Sequence, residues 1–384
     1  MQKKEFNNRI KFIFSAVIII GMISGLAKTV FFPKDINYYE NRPARKIGKL
    51  DLQSYLTSDF QDSLEESLAD QIPLAQSLKK TYNSINSKLL VASLMKQSEK
   101  HPEEYYQYND VMIHDGYILW KPFDLDECRN EFEKTAESFN RAARNNPDTE
   151  FSLYYIESDS IFNFQTNEKM PVYEYVRELL DFSAENLACF ELNDFEQYKE
   201  EFYRTDHHWN HKGSYRGYQE ILKLLKCGEA PVEPLREVEL PFLTAGSKAK
   251  ESGLTEMKET PVVYEFDFPD LGAPYGSQEE IISGAVKDFS YEMFYGVNLG
   301  EYEFDSGRED RENILIIGDS FDNSVLKLIA QHYHKTYSID LRNLETKDGE
   351  RFNVTDYIRE KEIDKVLIIA SQVIFSSGEY ILES

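Results

Sequence analysis

The chain has 384 residues, enough to bury a sizeable core as one large domain or two smaller ones. Hydrophobic residues at 41% and aromatics at 14% exclude a disordered polypeptide. A formal net charge of -25, from 68 acidic and 43 basic residues, excludes a broad non-specific grip on nucleic acid, because phosphate binding relies on neutralisation by Lys and Arg.

At the N-terminus, Lys3, Lys4, Arg9 and Lys11 precede an apolar run from Phe12 to Ala27, which resumes after Lys28 and stops at Pro33. A membrane span needs roughly 20 apolar residues, and a positive flank favours the cytoplasmic side. Residues 12–32 reach that length if Lys28 snorkels towards the outer interface. Residues 1–33 therefore read as a cytoplasmic stub and a transmembrane signal-anchor. Cleavage at the small residues Gly25 and Ala27 is the competing reading. Either one places the remainder outside the cytoplasm, held at the membrane or secreted. Cys128, Cys189 and Cys227 are too few for a disulfide scaffold, and no CxxC spacing points to a structural zinc site.

Residues 34–100 form an extended lead-in followed by helices. Phe60, Leu64 and Leu68 recur at helical spacing after Thr57 and Ser58, which suit caps. Pro73 opens a second helix carrying Leu74, Leu78, Tyr82, Ile85 and Leu89. Residues 101–384 alternate strand and helix. Val111–Leu119 predicts a hairpin with Asp115-Gly116 at its turn. A helix with Phe132, Ala136, Phe139 and Ala143 leads into a strand from Phe151 to Ile156. The stretch of about 228–301 holds scattered Pro and Gly with short β-type runs, and reads as a β-rich insertion. Asn313–Ile317, Thr336–Ile339 and Lys365–Ala370 are short apolar strands separated by helices, which predicts an α/β fold with a mostly parallel sheet.

Two short segments carry chemistry. Gly318-Asp319-Ser320-Phe321 follows a strand and precedes a helix, so Ser320 belongs at the carboxyl edge of the sheet, where open α/β folds bind ligands. Such a serine also serves simply as a helix cap, as do Asp319 and Asp322. Thr205-Asp206-His207-His208-Trp209 supplies an imidazole and a carboxylate two residues apart, able to point to one side of an extended chain. A serine hydroxyl becomes a competent nucleophile when a base takes its proton and a carboxylate orients that base. His207, His208 and His211 lie within five positions, yet no companion ligand motif accompanies them and no metal or other cofactor is expected. Trp209 suits either packing or stacking on a sugar ring.

The pair of segments resembles the DHHW family of bacterial exported proteins, and is similar to the SGNH-hydrolase-like proteins that act in alginate O-acetylation. The similarity extends to Asn41-Arg42-Pro43, Ala69-Asp70-Gln71-Ile72-Pro73, Tyr154-Tyr155-Ile156-Glu157 and Ile339-Asp340-Leu341-Arg342. The Asp-x-His element precedes the serine, the reverse of ordinary SGNH esterases. The resemblance implies a three-layer SGNH-hydrolase-like sandwich in permuted order. It further implies Ser320 as nucleophile, His208 as general base and Asp206 as its orienting carboxylate.

The separate Gly and Asn blocks of an SGNH oxyanion hole have no match; Gly296 and Asn298 are the candidates. His207, Trp209 and Arg342 are candidate substrate contacts. The implied activity is acetyl-ester hydrolysis or O-acetyl transfer on a polysaccharide, with a membrane-bound O-acyltransferase as partner. A second class of function is a membrane-anchored glycan-binding or assembly protein with an inactive triad, suggested by the missing oxyanion blocks and by 25 Tyr and 25 Phe.

Overall fold

In the strand Ile314–Gly318, Ile314 and Ile316 join one hydrophobic cluster while Leu315 and Ile317 join another, and all four are fully buried. A strand apolar on both faces needs cover on both. The computed structural model supplies it, and describes residues 42–71, 75–98, 103–269, 278–296, 300–344 and 352–384, with residues 36, 37, 101, 271 and isolated positions between 15 and 31.

The central sheet comprises β1 (Glu150–Ile156), β2 (Leu187–Phe190), β3 (Glu301–Asp305), β4 (Ile314–Gly318), β5 (Lys335–Ile339) and β6 (Lys365–Ala370). Their lateral order is β3-β5-β4-β6-β1-β2. The edge strand β3 runs antiparallel to β5, and every other pairing is parallel. The flanking helices are α1 (Leu125–Asn145), α2 (Val172–Leu179), α3 (His211–Leu224), α4 (Ser247–Glu251), α5 (Tyr291–Tyr295), α6 (Asn323–Ala330), α7 (Val354–Lys361) and α8 (Gln372–Ser376). Tyr218 and Ile221 of α3 and Val325 and Ile329 of α6 pack with Ile314, Ile316 and Ile369 on one face. Phe132 and Phe139 of α1, Val176 of α2, Ile358 of α7 and Phe375 of α8 pack with Leu315, Ile317 and Ile368 on the other. The result is a helix–sheet–helix sandwich whose strands β4 and β6 are buried throughout their apolar length. Each such Ile or Leu contributes about 1.5–3 kcal/mol by leaving water.

The expected hairpin forms, with strands Val111–His114 and Tyr117–Trp120. Asp115 and Gly116 have φ of 46° and 77°, the left-handed pair a type I′ turn requires. A third strand, Tyr106–Tyr108, pairs with Val111–His114. The hairpin is also tied to the histidine segment, because the Ile118 N–H donates to the Arg204 carbonyl at 3.0 Å. The stretch 228–301 contains less strand than its sequence suggests. Arg236–Glu239 and Val262–Glu265 pair antiparallel, but the described part holds more chain in the five-residue helices α4, Gln278–Ile282 and α5. Ser290 explains one of these, since its side chain accepts from the Met293 N–H and starts a helical turn.

The chain divides into two compact units, residues 1–87 and 88–384. In the first, Asp70 organises the lead-in: its carboxylate accepts from Asn37 Nδ2 at 2.9 Å and from the Arg45 N–H at 2.8 Å. Thr57 does not start the helix Asp59–Gln71. It closes the preceding helix Leu52–Leu56 by donating to the Gln53 carbonyl, and Ser58 then turns at φ 70°. The helix Ala75–Ser98 forms, but its apolar stripe stays in water: Leu78, Tyr82, Ile85 and Leu89 are 60–73% exposed. The signal-anchor segment 12–32 lies largely outside the described residues, as do Pro73 and Leu74. No helix of the described residues is long and apolar enough to cross a membrane.

Trp209 joins the histidine segment to the sandwich. It is fully buried, and the ring lies so close under α3 that a Cβ at Gly217 would sit 2.4 Å from it. Gly217→Ala is therefore expected to destabilise the protein by about 1–3 kcal/mol through overpacking. Thermal unfolding checks this, with the melting midpoint dropping by several degrees; an unchanged midpoint would show that the contact is not tight.

Candidate active site

Ser320 occupies the turn between β4 and α6 and is buried. It is not the cap of that helix. Asp319 Oδ1 accepts from the Phe321 N–H at 3.0 Å, and Asp322, at the cap position, makes no side-chain capping bond. The serine hydroxyl lies instead 2.7 Å from His208 Nε2, across 112 residues of sequence.

His208 has no solvent exposure. A buried imidazole needs partners for both nitrogens, and Asp206 Oδ1 sits 2.6 Å from Nδ1 while also accepting the His208 N–H at 3.1 Å. Since the carboxylate can only accept, Nδ1 carries the proton and Nε2 accepts from the serine hydroxyl. The ring is clamped by Tyr291, stacked on it at 3.7 Å with 1° between planes, and the Tyr291 hydroxyl donates to the Phe321 carbonyl at 3.2 Å.

Asp206 is fixed from behind by α4. The Ser247 N–H donates to Asp206 Oδ2 at 2.8 Å, and Ser247 Oγ lies 2.6 Å from His207 Nδ1. Gly246 makes this approach feasible, because a Cβ there would fall 2.5 Å from Asp206 Cβ and 2.6 Å from the Thr205 carbonyl oxygen. Burial alone would push the Asp206 carboxyl up. The adjoining His208, aided by His207 and the Ser247 N–H, outweighs burial and holds it well below the usual carboxylate range. Nothing in the spacing of Gly246-Ser247 or in Tyr291 signals these roles; tertiary folding alone brings them to the histidine.

The other sequence candidates fall in different places. His207 packs its ring 3.8 Å from that of His208 and keeps its side chain 30% exposed, so it forms the solvent-facing lip of the pair. Trp209 does not face a substrate. Its Nε1 donates to Ser324 Oγ at 2.8 Å and to the Phe321 carbonyl at 3.2 Å, clasping the serine turn from inside the core. Arg342 forks onto Asp340, with bonds of 3.0 and 2.7 Å, so its guanidinium is already engaged. Gly296 does not offer its N–H to the serine either. That N–H donates to the Glu292 carbonyl at 2.8 Å, closing α5, while its own carbonyl accepts from Asn323 Nδ2 at 3.1 Å. Asn298 lies outside the described residues. Asp206, His207 and His208 place three donor atoms within 4.8 Å of one another, the spacing of a cation site. Each is already in the hydrogen bonds given above, so a cation would have to displace that network. His211 lies apart from them, paired with Glu237 at 3.1 Å.

Glu292, on α5 beside Tyr291, is a buried carboxyl whose Oε2 has no hydrogen-bond partner among the described residues. Burial pushes it up to about 7, against the pull of His208 and with the push of Asp206. An acid whose folded pKa is raised stabilises the fold only while protonated in both states. That contribution falls as pH rises from the unfolded value of about 4.3 to about 7. Glu292→Gln is thus expected to be the more stable protein at pH 8, by about 2–4 kcal/mol. The difference should shrink towards pH 5, and chemical denaturation at both pH values measures it. A difference independent of pH would mean that the carboxyl does not titrate there.

No family model and no curated protein matches the sequence. Solved structures do match. Bacillus cereus PatB1 with a sulfonyl adduct aligns at a TM-score of 0.56 with 17% identity, over 73% of this chain and 99% of that one. A DHHW family protein from Eubacterium siraeum aligns at 0.55 with 15% identity, over 73% and 98%. The O-acetyltransferase domain of Pseudomonas putida AlgJ is far more distant, at 0.39 with 12% identity, over 70% and 92%. The chain thus shares the fold of PatB1 and of a DHHW family protein, the likeness that its Asp-His-His-Trp segment suggests.

Proposed function

We propose that the protein is a serine-dependent acetyl-transfer enzyme, an acetyl-ester hydrolase or O-acetyltransferase acting on a cell-surface or exocellular polysaccharide. One observation carries this reading: the unbroken line Asp206 Oδ1, His208, Ser320 Oγ, with contacts of 2.6 and 2.7 Å inside a buried site. Those distances lie within hydrogen-bond reach for a nucleophile, its base and an orienting carboxylate. The shared fold with PatB1, which carries a sulfonyl adduct, supports it further.

In this mechanism His208 Nε2 takes the Ser320 proton as Oγ attacks the acetyl carbonyl carbon. The oxyanion forms beside the Ser320 N–H at the turn into α6, where the helix dipole favours negative charge. His208 then returns the proton to the departing alcohol, leaving acetyl-serine. A second hydroxyl, from water or from a sugar, is deprotonated by His208 and takes the acetyl group, and His208 returns that proton to Ser320 Oγ as it leaves. Asp206 stays ionised throughout and stabilises the charged imidazole. Which acceptor wins depends on how well the bound acceptor excludes water.

The placement belongs to the same reading. Residues 1–33 act as stub and signal-anchor, or are cleaved, residues 34–100 as a lead-in, and residues 101–384 as the catalytic domain outside the cytoplasm. Its His-before-Ser order corresponds to a permuted SGNH hydrolase. Acetyl groups outside the membrane need a donor, and a membrane-bound O-acyltransferase would supply it.

The purified full-length protein should hydrolyse a chromogenic acetyl ester and be inactivated by a sulfonyl fluoride attached at Ser320. Ser320→Ala and His208→Ala should each lose at least about 10³ of the rate. Equal rates for wild type and both variants, or no modification of Ser320, would overturn the reading and leave a glycan-binding role for the domain.

A further inference from the structure

Two rings cover the imidazole of His208. Tyr291 stacks on it at 3.7 Å with 1° between planes, and the His207 ring lies 3.8 Å from it at 34°. Rings that close cannot share one face, so they take opposite faces. Tyr291 is 1% exposed and closes its side, whereas the His207 side chain is 30% exposed. An acyl group reaching Ser320 therefore passes along His207.

The helix α4 gives His207 a definite tautomer. The His207 N–H donates to Ser247 Oγ at 3.3 Å, and the same Oγ lies 2.6 Å from His207 Nδ1. A hydroxyl has one proton to give, and among the described residues Nδ1 is the only acceptor this one meets. Ser247 thus donates to Nδ1, and the imidazole proton of His207 sits on Nε2. Desolvation, then the adjoining His208, holds the His207 imidazole well below the usual histidine range against the pull of Asp206, so the ring is neutral. His207 Nδ1 is 3.9 Å from Asp206 Oδ1, and the same oxygen accepts from His208 Nδ1 at 2.6 Å. Both rings turn Nδ1 towards one carboxylate and Nε2 away from it, and on that side His208 Nε2 meets Ser320 Oγ at 2.7 Å. His207 Nε2 makes no hydrogen bond to a described residue and is reached by solvent. A neutral N–H donor is thus unspent beside the nucleophile, where the Gly296 N–H is already engaged.

We propose that His207 donates its Nε2–H to the carbonyl oxygen of the acyl group attacked by Ser320, and holds that oxygen as it becomes the oxyanion. The side chain then supplies a second donor beside the Ser320 N–H, and Ser247 is the positioning residue that keeps the proton on the correct nitrogen. This rests on the acetyl-transfer reading for the reaction it serves, but not for the tautomer.

Long-range proton–nitrogen NMR of the full-length protein, isotope-labelled in its histidines and assigned with His207→Gln, reads the tautomers directly. The proton is expected on Nε2 in His207 and on Nδ1 in His208; a proton on Nδ1 of His207 would overturn the inference. Hydrolysis of p-nitrophenyl acetate by wild type and variants reads the role. Losing one such donor costs about 10²–10³ in kcat, so His207→Leu should lose at least that lower factor, with KM and the thermal midpoint near wild type. His207→Gln, whose amide brings an N–H close to the former Nε2, should regain about tenfold of the loss. Ser247→Ala keeps the backbone N–H on Asp206 but removes the hydroxyl that fixes the tautomer, so both forms of His207 should appear and kcat should drop. Wild-type kcat in His207→Leu, a loss confined to KM, or a glutamine variant no better than the leucine one would overturn the donor. An inert wild type with the proton on His207 Nε2 would instead count against the acetyl-transfer reading alone.

Discussion

A fully buried imidazole is tolerated only if both its nitrogens are satisfied, and that requirement at His208 governs how the molecule is assembled. Asp206 satisfies one nitrogen from two residues away, and Ser320 satisfies the other from 112 residues away. An unpartnered buried polar group costs about 1–3 kcal/mol, so the histidine segment and the serine turn stabilise one another's position. The surrounding groups act on that one distance. Trp209 reaches from the residue after His208 to Ser324 and the Phe321 carbonyl. Tyr291 stacks on the imidazole and bonds the same carbonyl. The short helix α4 holds Asp206 from the far side.

Beneath the site, charge is kept in order by pairing. Asp319, next to the serine, accepts from Ser371 Oγ at 2.5 Å and from the Phe321 N–H, so it braces the turn against the end of β6. Asp340, at the end of β5, is held by Arg342 and by the Tyr380 hydroxyl at 2.9 Å. Lys248 of α4 is wholly buried and is paired with Asp159 and the Tyr198 hydroxyl, which anchors the helix that positions Asp206. Breaking such a buried pair from one side leaves an uncompensated charge and is strongly destabilising. These pairs make the location of α4 a property of the fold rather than of a mobile loop.

The parts of this arrangement with a local cause are legible in the sequence. Asp115-Gly116 specifies a hairpin turn because two left-handed residues are needed, and the run ending at Ile317 is apolar enough to be a strand buried on both faces. The Asp206–His208 contact is also local, spanning two residues. What depends on tertiary approach is not legible. Gly246 and Ser247 lie in an irregular stretch, Ser247 being 41 residues from the Asp206 it holds, and Tyr291 reads as one aromatic among many. Trp209 looks like a sugar platform until its burial is known. Gly296 fails as an oxyanion donor for a reason that only the helix boundary reveals: its N–H closes α5. The exposed stripe from Leu78 to Leu89 shows the converse, an amphipathic pattern without a covering surface among the described residues.

The claim that most of this depends on is that Ser320 becomes covalently acylated. Brief exposure of the full-length protein to an activated acetyl ester, acid quenching, and peptide mass spectrometry would test it directly. The account predicts an added acetyl mass on the peptide containing Ser320, absent from His208→Ala. An unmodified Ser320 peptide alongside measurable ester turnover would contradict it.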